Sequence, residues 1–326
     1  KTTELNQLTM EGENIALADA EAFGEKIKRK PEGRFRIALQ NVQVLPESAK
    51  HYKSKNLVRH IGEFDYDVWL MNKVGLPWNK LSPNDQWCER ALADKLPDSY
   101  ASFAYNTTEP ELTDTIQYGG VGIVAMEEAK QRIIDNGKDP SGLGRWTWIR
   151  MQGKEGHTIR IVVAYQPCDS SAGAGSVSQQ HARYLGKKND TRDPRKALLE
   201  DLKKEMLEWQ EAGDHLVIGM DANKDVRKGA VNNMMIELGM REAILDLHSS
   251  SSPPATQNRN TKRQPIDGIW VSPSIHICNG GYLAFGEGCP SDHRVLWIDI
   301  AFSIIFGQKC PQMVPPKPKK LKAGDP

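Results

Sequence analysis

The sequence lacks paired cysteines, a long apolar run and an excess of charge of either sign. Its five cysteines lie far apart and form no Cys-x-x-Cys pair, which argues against a disulfide scaffold and a zinc site and indicates a reducing compartment. No apolar run is long enough to span a bilayer, and residues 301–306 are far too few for a transmembrane helix. The net charge of +1 says little about partners, so local clusters of charge must supply that information.

The length and composition are those of a soluble globular protein with one large domain or two small ones. The chain has 326 residues, of which 39% are hydrophobic and 26% charged. It begins at Lys1 with neither an initiator methionine nor a signal-peptide pattern, which predicts a fragment or a domain of a longer protein. Changes in composition divide it into a polar flank (1–34), an α/β region (35–306) and a Lys/Pro-rich segment (307–326) typical of an extended linker.

Short apolar strands alternate with amphipathic segments through the α/β region. The predicted strands include residues 35–39, 67–71, 120–125, 145–151, 158–164 and 216–220, and the predicted helices include residues 48–62 and 229–238. A helical segment over 178–211 is expected to break at Asp193-Pro194. Because strand–strand neighbours mix with strand–helix crossovers, we predict an α/β fold in which two mixed sheets pack together with helices outside, a four-layer sandwich.

Polar side chains stand at the ends of three predicted strands. They are Asp221 and Asn223 after residues 216–220, Asp267 before residues 268–271, and Ser291-Asp292-His293 before residues 295–300. A rigid sheet can aim such groups into one cleft. Carboxylates combined with a histidine suit metal-assisted phosphoryl transfer, so the pattern predicts an enzyme.

Each of these groups taken alone has a simpler explanation. An Asp-x-Asn sequence such as Asp221 to Asn223 is often only a turn former, and Asp267 could cap a loop. His293 could be a hydrogen-bonded core histidine, and Tyr165 could pack on Pro167. The functional interpretation therefore depends on the order of the residues along the chain.

That order resembles the endonuclease/exonuclease/phosphatase superfamily, which includes pancreatic deoxyribonuclease and the abasic-site endonucleases. The series, over about residues 36–300, is Asn41, Tyr165, Asp221 with Asn223, Asp267, and Asp292 with His293. Ser-Asp-His before the last strand and Asp-x-Asn after the earlier one are its most specific motifs. Residues 117–120, 142–148, 164–168 and 221–226 also resemble endonuclease domains of LINE-type retroelements, which implies a reverse transcriptase beyond the linker in the same polyprotein.

The resemblance implies a catalytic role for five residues. Asp267 would hold His293, which donates a hydrogen bond or a proton at the scissile phosphate. Asp221 would orient or deprotonate the attacking water. Asn223 and Tyr165 would bind the non-bridging phosphate oxygens as neutral donors, which do not repel an anion.

The resemblance also implies Mg²⁺ or Mn²⁺, held by Asp292 and Asn41 with Gln43 as a further candidate. The family's principal metal ligand is a glutamate after the second strand, and Lys73 occupies that position here. An ammonium group repels a divalent cation by several kcal/mol at an effective dielectric near 20, so we expect weakened metal binding. Three alternatives stay open: a decayed copy that keeps the fold, metal-independent turnover using the Lys73 charge, or metal binding through Asp292 and Asp221.

Three basic segments favour a polyanionic substrate, although charge runs can also be solvated faces. They are Arg259, Lys262 and Arg263 in the loop before Asp267, residues 183–204, and the tail at 317–322. They predict contacts to the phosphate backbone of DNA. The expected location is intracellular and nuclear, and no membrane association is expected. The alternatives are a small-molecule or lipid phosphoesterase of the same superfamily, or a catalytically decayed nucleic-acid-binding domain.

Overall fold

The computed structural model describes residues 21–46, 51–76, 78, 96, 98–109, 117–169, 173, 175–249, 252–259 and 263–307. The strands are β1 (Phe23–Gly24), β2 (Arg34–Asn41), β3 (Val68–Asn72), β4 (Ser99–Ala104), β5 (Val121–Met126), β6 (Ile133–Lys138), β7 (Trp146–Gln152), β8 (Thr158–Tyr165), β9 (Asp214–Asp221), β10 (Arg241–Glu242), β11 (Asp267–Val271), β12 (Ile277–Tyr282) and β13 (Leu296–Ala301). The helices are α1 (Tyr52–Glu63), α2 (Glu127–Gln131), α3 (Val177–Lys187), α4 (Pro194–Glu211), α5 (Gly229–Glu237), α6 (Ala243–His248) and α7 (Phe302–Ile305).

The strands form two mixed sheets. One has the order β1-β12-β13-β2-β3-β5-β4 and the other β10-β11-β9-β8-β7-β6. Each sheet contains one parallel pair, β2 with β3 and β8 with β9, and its other pairs are antiparallel. Helix α1 connects β2 to β3, and α3 with α4 connects β8 to β9, because parallel neighbours need a crossover. The first sheet includes β1, which lies before residue 35 and so within the segment 1–34 that composition marked as a polar flank.

Local sequence explains where the long helices begin and end. Asp193 caps α4, where its side chain accepts hydrogen bonds from the N–H groups of Arg195 and Lys196, and Pro194 stands in the first turn. Helix α3 ends earlier, at Lys187. The expected break at Asp193-Pro194 is therefore present.

Apolar side chains fill the three interfaces between helices, sheet, sheet and helices. The fold is therefore the predicted four-layer sandwich. The inner layer, between the two sheets, includes Ile37, Leu70, Ile161, Val217 and Ile298. At one outer interface, Leu57 and Ile61 of α1 pack against Trp69 and Trp297. At the other, Leu202 and Met206 of α4 and Met235 of α5 pack against Ile218. Within the described residues, no helix combines the length and apolar character needed to cross a membrane.

The topology brings several strand ends to one edge of the sandwich. Strand β13 is antiparallel to β2, so its beginning lies beside the end of β2, where Leu296 pairs with Leu39. In the second sheet, β11 is antiparallel to β9, so Asp267 at its start pairs with Asp221 at the end of β9. Residues far apart in the chain therefore meet at this edge.

Candidate active site

Backbone register places three of the predicted site residues side by side. Asp221 pairs with Tyr165 across the parallel β8–β9 ladder and with Asp267 across the β9–β11 ladder. In the facing sheet, Asn41 pairs with Asn72 across the β2–β3 ladder. The Nδ2 of Asn41 reaches across to Oδ2 of Asp221 at 2.7 Å, so the two sheets are joined at the site by a side-chain hydrogen bond.

His293 and Asp267 form a buried pair, with 2.9 Å between Nδ1 and Oδ2. They are only 3% and 1% exposed. Burial by itself lowers the pKa of His293, but the charge and hydrogen bond of Asp267 outweigh it and raise that pKa to about 9, with help from Asp221 and Asp292. His293 is therefore an imidazolium at neutral pH, and its Nε2 is the nitrogen that Asp267 does not hold.

Asp221 is fully buried and accepts two hydrogen bonds. One is from Asn41, and the other runs from the Asn223 N–H to Oδ1 at 2.9 Å. Burial, and then the negative charge of Asp267, raise the pKa of Asp221 to about 7, against the opposing effect of His293. A carboxylate with this pKa can take up a proton near neutral pH.

Tyr165 and Asn223 form the neutral side of the site. Burial, and then the charge of Asp221, raise the pKa of Tyr165, while a hydrogen bond to the Asn223 side chain opposes the rise. The phenol therefore keeps its proton at neutral pH. Asn223 adopts a left-handed φ of 47° and donates Nδ2–H to the carbonyl of Gln166 at 2.7 Å, which fixes the orientation of its amide.

The Ser-Asp-His tripeptide is organised by its serine. Ser291 Oγ donates to the carbonyl of Asn41 at 2.6 Å and accepts the N–H of His293 at 3.1 Å. This serine ties the turn before β13 to the end of β2. Asp292 Oδ2 accepts from Gln257 Nε2 at 3.1 Å, whereas its Oδ1 is buried and has no hydrogen-bond partner among the described residues.

Thr256 also forms hydrogen bonds to the turn before β13 and to the start of β11. Its Oγ1 accepts the N–H groups of Ile266 and Asp267 at 3.0 and 3.1 Å. Its carbonyl accepts the N–H of Arg294 at 2.8 Å. Thr256 therefore links the start of β11, which carries Asp267, to the residue that follows His293.

Lys73 follows directly after β3, where the family pattern has a glutamate. It is half-buried and has a left-handed φ of 55°. Its neighbour Asn72 is fully buried and donates Nδ2–H to the carbonyl of Ala164 in the other sheet at 2.7 Å. This inter-sheet bond fixes the end of β3.

A second lysine, Lys53 of α1, lies at the same corner. Its Nζ donates to the carbonyls of Gln43 and Val44, both at 2.8 Å. Burial, and then the positive charge of Lys73, lower the pKa of Lys53, while the negative charge of the Asp292 carboxylate acts in the opposite direction. Two ammonium groups and the Asp292 carboxylate therefore interact at this corner.

Two groups of residues at the site offer candidate metal ligands. Asp221, Asp267 and His293 offer ligand atoms within 4.8 Å of one another, which is compact enough for a metal ion. Because the neighbouring carboxylates raise the pKa of His293 to about 9, a metal ion there would compete with a proton for the imidazole. Asp292 Oδ1 accepts no hydrogen bond from the described residues, but the charge of Asp292 acts on the ammonium group of Lys53, and so does the charge of Lys73.

The second group, around Asp292, is the one that the resemblance implies, and it does not fit Mg²⁺. The amide of Asn41 is already engaged, because its oxygen accepts the Gln43 N–H at 2.9 Å and its nitrogen bonds Asp221. The main-chain carbonyl of Gln43 accepts from Lys53. Mg²⁺ needs oxygen ligands with negative charge nearby, whereas the Asp292 carboxylate interacts with the ammonium group of Lys53, on which the charge of Lys73 also acts.

The basic loop before Asp267 reaches the rim of the site. The guanidinium of Arg259 is 75% exposed and its Nε lies 3.8 Å from Oδ2 of Asp292. Arg263 is exposed on the same loop, and Lys262 lies outside the described residues, as does the tail at 317–322.

The basic residues of the segment 183–204 are largely neutralised. Arg192 contacts three acids, Asp190, Glu200 and Asp201, and Arg183 pairs with Glu109. The solvated-face interpretation therefore applies to these two arginines.

Comparison with known proteins identifies the fold. No family model and no curated protein matches the chain. Among solved structures, the human Nocturnin catalytic domain with bound sulfate aligns at 16% identity and a TM-score of 0.55, over 84% of this chain and 95% of that one. A 3′ phosphatase from Neisseria, NExo bound to product DNA hairpin, aligns at 14% and 0.54, over 82% and 99%. An endonuclease/exonuclease/phosphatase family protein from Bacteroides thetaiotaomicron aligns at 12% and 0.51, over 84% and 98%.

The chain has the endonuclease/exonuclease/phosphatase fold. Within this fold, hydrogen bonds or strand register join the residues Asn41, Tyr165, Asp221, Asn223, Asp267 and His293 in one cluster. Asp292 lies at the edge of that cluster, beside Lys53. Sequence reasoning missed Lys53, Thr256 and Gln257, because a lysine on an amphipathic helix and polar residues in a Ser/Pro-rich loop carry no motif.

Proposed function

We propose that this chain hydrolyses phosphodiester bonds and nicks DNA. The observation that supports this most strongly is the pairing of an imidazolium, His293, with a carboxylate of near-neutral pKa, Asp221, at one sheet edge. One group can donate a proton while the other accepts one.

In the proposed reaction, the oxygen of a water molecule attacks phosphorus while the bond from phosphorus to the leaving sugar oxygen breaks. Asp221 accepts the proton from the water, and His293 gives the Nε2 proton to the leaving oxygen. Asp267 keeps His293 protonated and fixes the orientation of its imidazole ring. Tyr165 and the second Nδ2 hydrogen of Asn223 bind the non-bridging oxygens, as donors that carry no charge to repel the anion.

DNA is the proposed substrate because the rim of the site is cationic and one structural relative is described with product DNA. Arg259, Lys262 and Arg263 would contact phosphates on either side of the scissile bond. The retroelement-like motifs further suggest a nuclear endonuclease domain with a reverse transcriptase in the same polyprotein. If Mg²⁺ or Mn²⁺ binds beside Asp292, Lys53 and Lys73 weaken its binding.

A supercoiled-plasmid assay tests this proposal. We expect the wild type to convert supercoiled plasmid to open circles, and Asp221→Asn to lower the rate about 10²–10⁴-fold. Asp246→Asn is the matched control, since this aspartate is 55% exposed and pairs only with Arg241 among the described residues. Equal rates for wild type and Asp221→Asn would exclude the assigned chemistry.

Two other outcomes select the alternative functions. Hydrolysis of inositol phosphates or a phospholipid without DNA nicking would identify a small-molecule or lipid phosphoesterase. Salt-dependent DNA binding without turnover would identify a decayed binding domain, which the two lysines beside Asp292 favour. Affinity for duplex DNA that does not change with salt would argue against phosphate contacts altogether.

A further inference from the structure

The Lys53 side chain is held in place by two hydrogen bonds. Two of its three ammonium donors are used by the carbonyls of Gln43 and Val44. These bonds leave one donor for a further acceptor. Fixing a long side chain in this way removes most of the rotamer entropy that binding a ligand would otherwise cost.

The backbone under Lys53 is strained. Gln43, Val44 and Lys73 all have φ values in the left-handed region, at 44°, 65° and 55°, and a β-branched residue such as Val44 adopts this region rarely. The N–H of Val44 bonds to the carbonyl of Lys73 at 2.9 Å, and Leu45 bonds to Val74 at 2.8 Å. The loop after β2 and the loop after β3 are thus hydrogen-bonded to each other. Lys73 lies in the second loop, and Lys53 of α1 donates to two carbonyls of the first. Strain of this kind is concentrated at functional sites.

Among the described residues whose charges act at this corner, positive charge exceeds negative charge. Lys53 and Lys73 contribute two positive charges, and Asp292 is the carboxylate whose charge acts on Lys53. Cys289 adds no negative charge at neutral pH, because burial raises the pKa of its thiol to about 12. Arg259, 3.8 Å from Asp292, adds another positive charge at the rim. An anion would balance this excess, whereas a divalent cation would increase it.

We propose that Lys53 and Lys73 bind a non-bridging oxygen of the scissile phosphate and take the place of the divalent cation. This inference rests on the proposed phosphodiesterase function and specifies how the phosphate is held. The two ammonium groups neutralise charge on phosphorus without taking part in proton transfer. Asp221 accepts a proton from the attacking water and His293 gives its proton to the leaving oxygen, as described above, so turnover proceeds in a metal chelator.

Metal dependence gives the first test. We expect wild-type nicking in EDTA to stay within about threefold of the rate in Mg²⁺, because no cation completes the site. Lys73→Glu should lose nicking in EDTA, regain it in Mg²⁺ or Mn²⁺, and bind Mn²⁺ in paramagnetic resonance titrations at concentrations where the wild type does not. Wild-type nicking that disappears in EDTA, together with Mn²⁺ binding that Lys73→Glu leaves unchanged, would overturn the proposal.

Direct anion binding gives a test that does not depend on nicking. Inorganic phosphate is titrated into the protein in EDTA and followed by calorimetry. Lys53→Met and Lys73→Met should each weaken binding about tenfold or more, the loss expected for a charge-assisted hydrogen bond. The matched control is Lys55→Met, an exposed lysine on the same helix, which should bind as the wild type does.

The two tests separate the inference from the function on which it rests. If the wild type nicks no DNA but its phosphate affinity depends on Lys53 and Lys73, the proposed activity is wrong and the anion site stands. If phosphate affinity is unchanged in both methionine variants while circular dichroism shows folded proteins, the anion site is refuted whatever the nicking result.

Discussion

Replacing Asp267 by asparagine tests the central pair of the site. Asp267 keeps His293 protonated, with a pKa of about 9 instead of the ordinary 6.5. At about 1.36 kcal/mol per pKa unit, this difference corresponds to about 3 kcal/mol of preference for the imidazolium. Asparagine keeps the shape but removes the charge. Because burial alone lowers the pKa of His293, we expect its value in Asp267→Asn to fall below 6.5.

The assay is an NMR titration of the His293 ring in wild type, Asp267→Asn and the exposed control Asp246→Asn. The same variant should lower nicking about 10²–10⁴-fold at neutral pH, since the general acid is lost. An unchanged His293 midpoint in Asp267→Asn would refute the reasoning, as would a control that shifts it equally.

The same pair makes stability depend on pH in a defined direction. The folded-state pKa of His293 lies above the unfolded value, so its stabilising contribution is fully present below about pH 6.5 and is lost as the pH rises through about 9. In urea denaturation, the difference in the free energy of unfolding between wild type and Asp267→Asn should therefore decrease by about 3 kcal/mol from near-neutral to alkaline pH. A difference in unfolding free energy that is constant with pH would show that Asp267 stabilises the fold without stabilising the charge of His293.

Two further predictions concern the site and its support. The nicking rate should be bell-shaped in pH, rising as Asp221 loses its proton near pH 7 and falling as His293 loses its proton near pH 9; a profile without an alkaline limb would contradict the role of His293. Thr256→Val should destabilise the protein by about 2–4 kcal/mol in urea titrations, because two buried N–H groups lose their acceptor. The exposed Thr107→Val, whose hydroxyl bonds one carbonyl, should cost under about 0.5 kcal/mol, and an equal loss in both would contradict this account.

The strand-end motifs could be predicted from the sequence because each consists of residues that are adjacent in the chain. Residues 216–220 are apolar and lie inside β9, and Asp221 and Asn223 follow at its end. The hydrophobic period and the proline at residue 194 likewise predicted the sandwich layers and the boundary of α4. Strand β12, in contrast, contains Asn279 and two glycines. Its sequence has weak strand propensity, and it becomes a strand through pairing with β1 and β13.

By itself, the sequence determined which residue types stand at the ends of which strands, and that a lysine follows β3 where a carboxylate is expected. Tertiary structure decided which of these residues meet. The Asp267–His293 bond joins residues 26 positions apart, and Asn41 reaches Asp221 across 180 positions. Their pKa values depend on that burial and proximity, which no local pattern encodes. Helix packing also brought Lys53 beside Asp292, so the charge at this corner became apparent only in three dimensions.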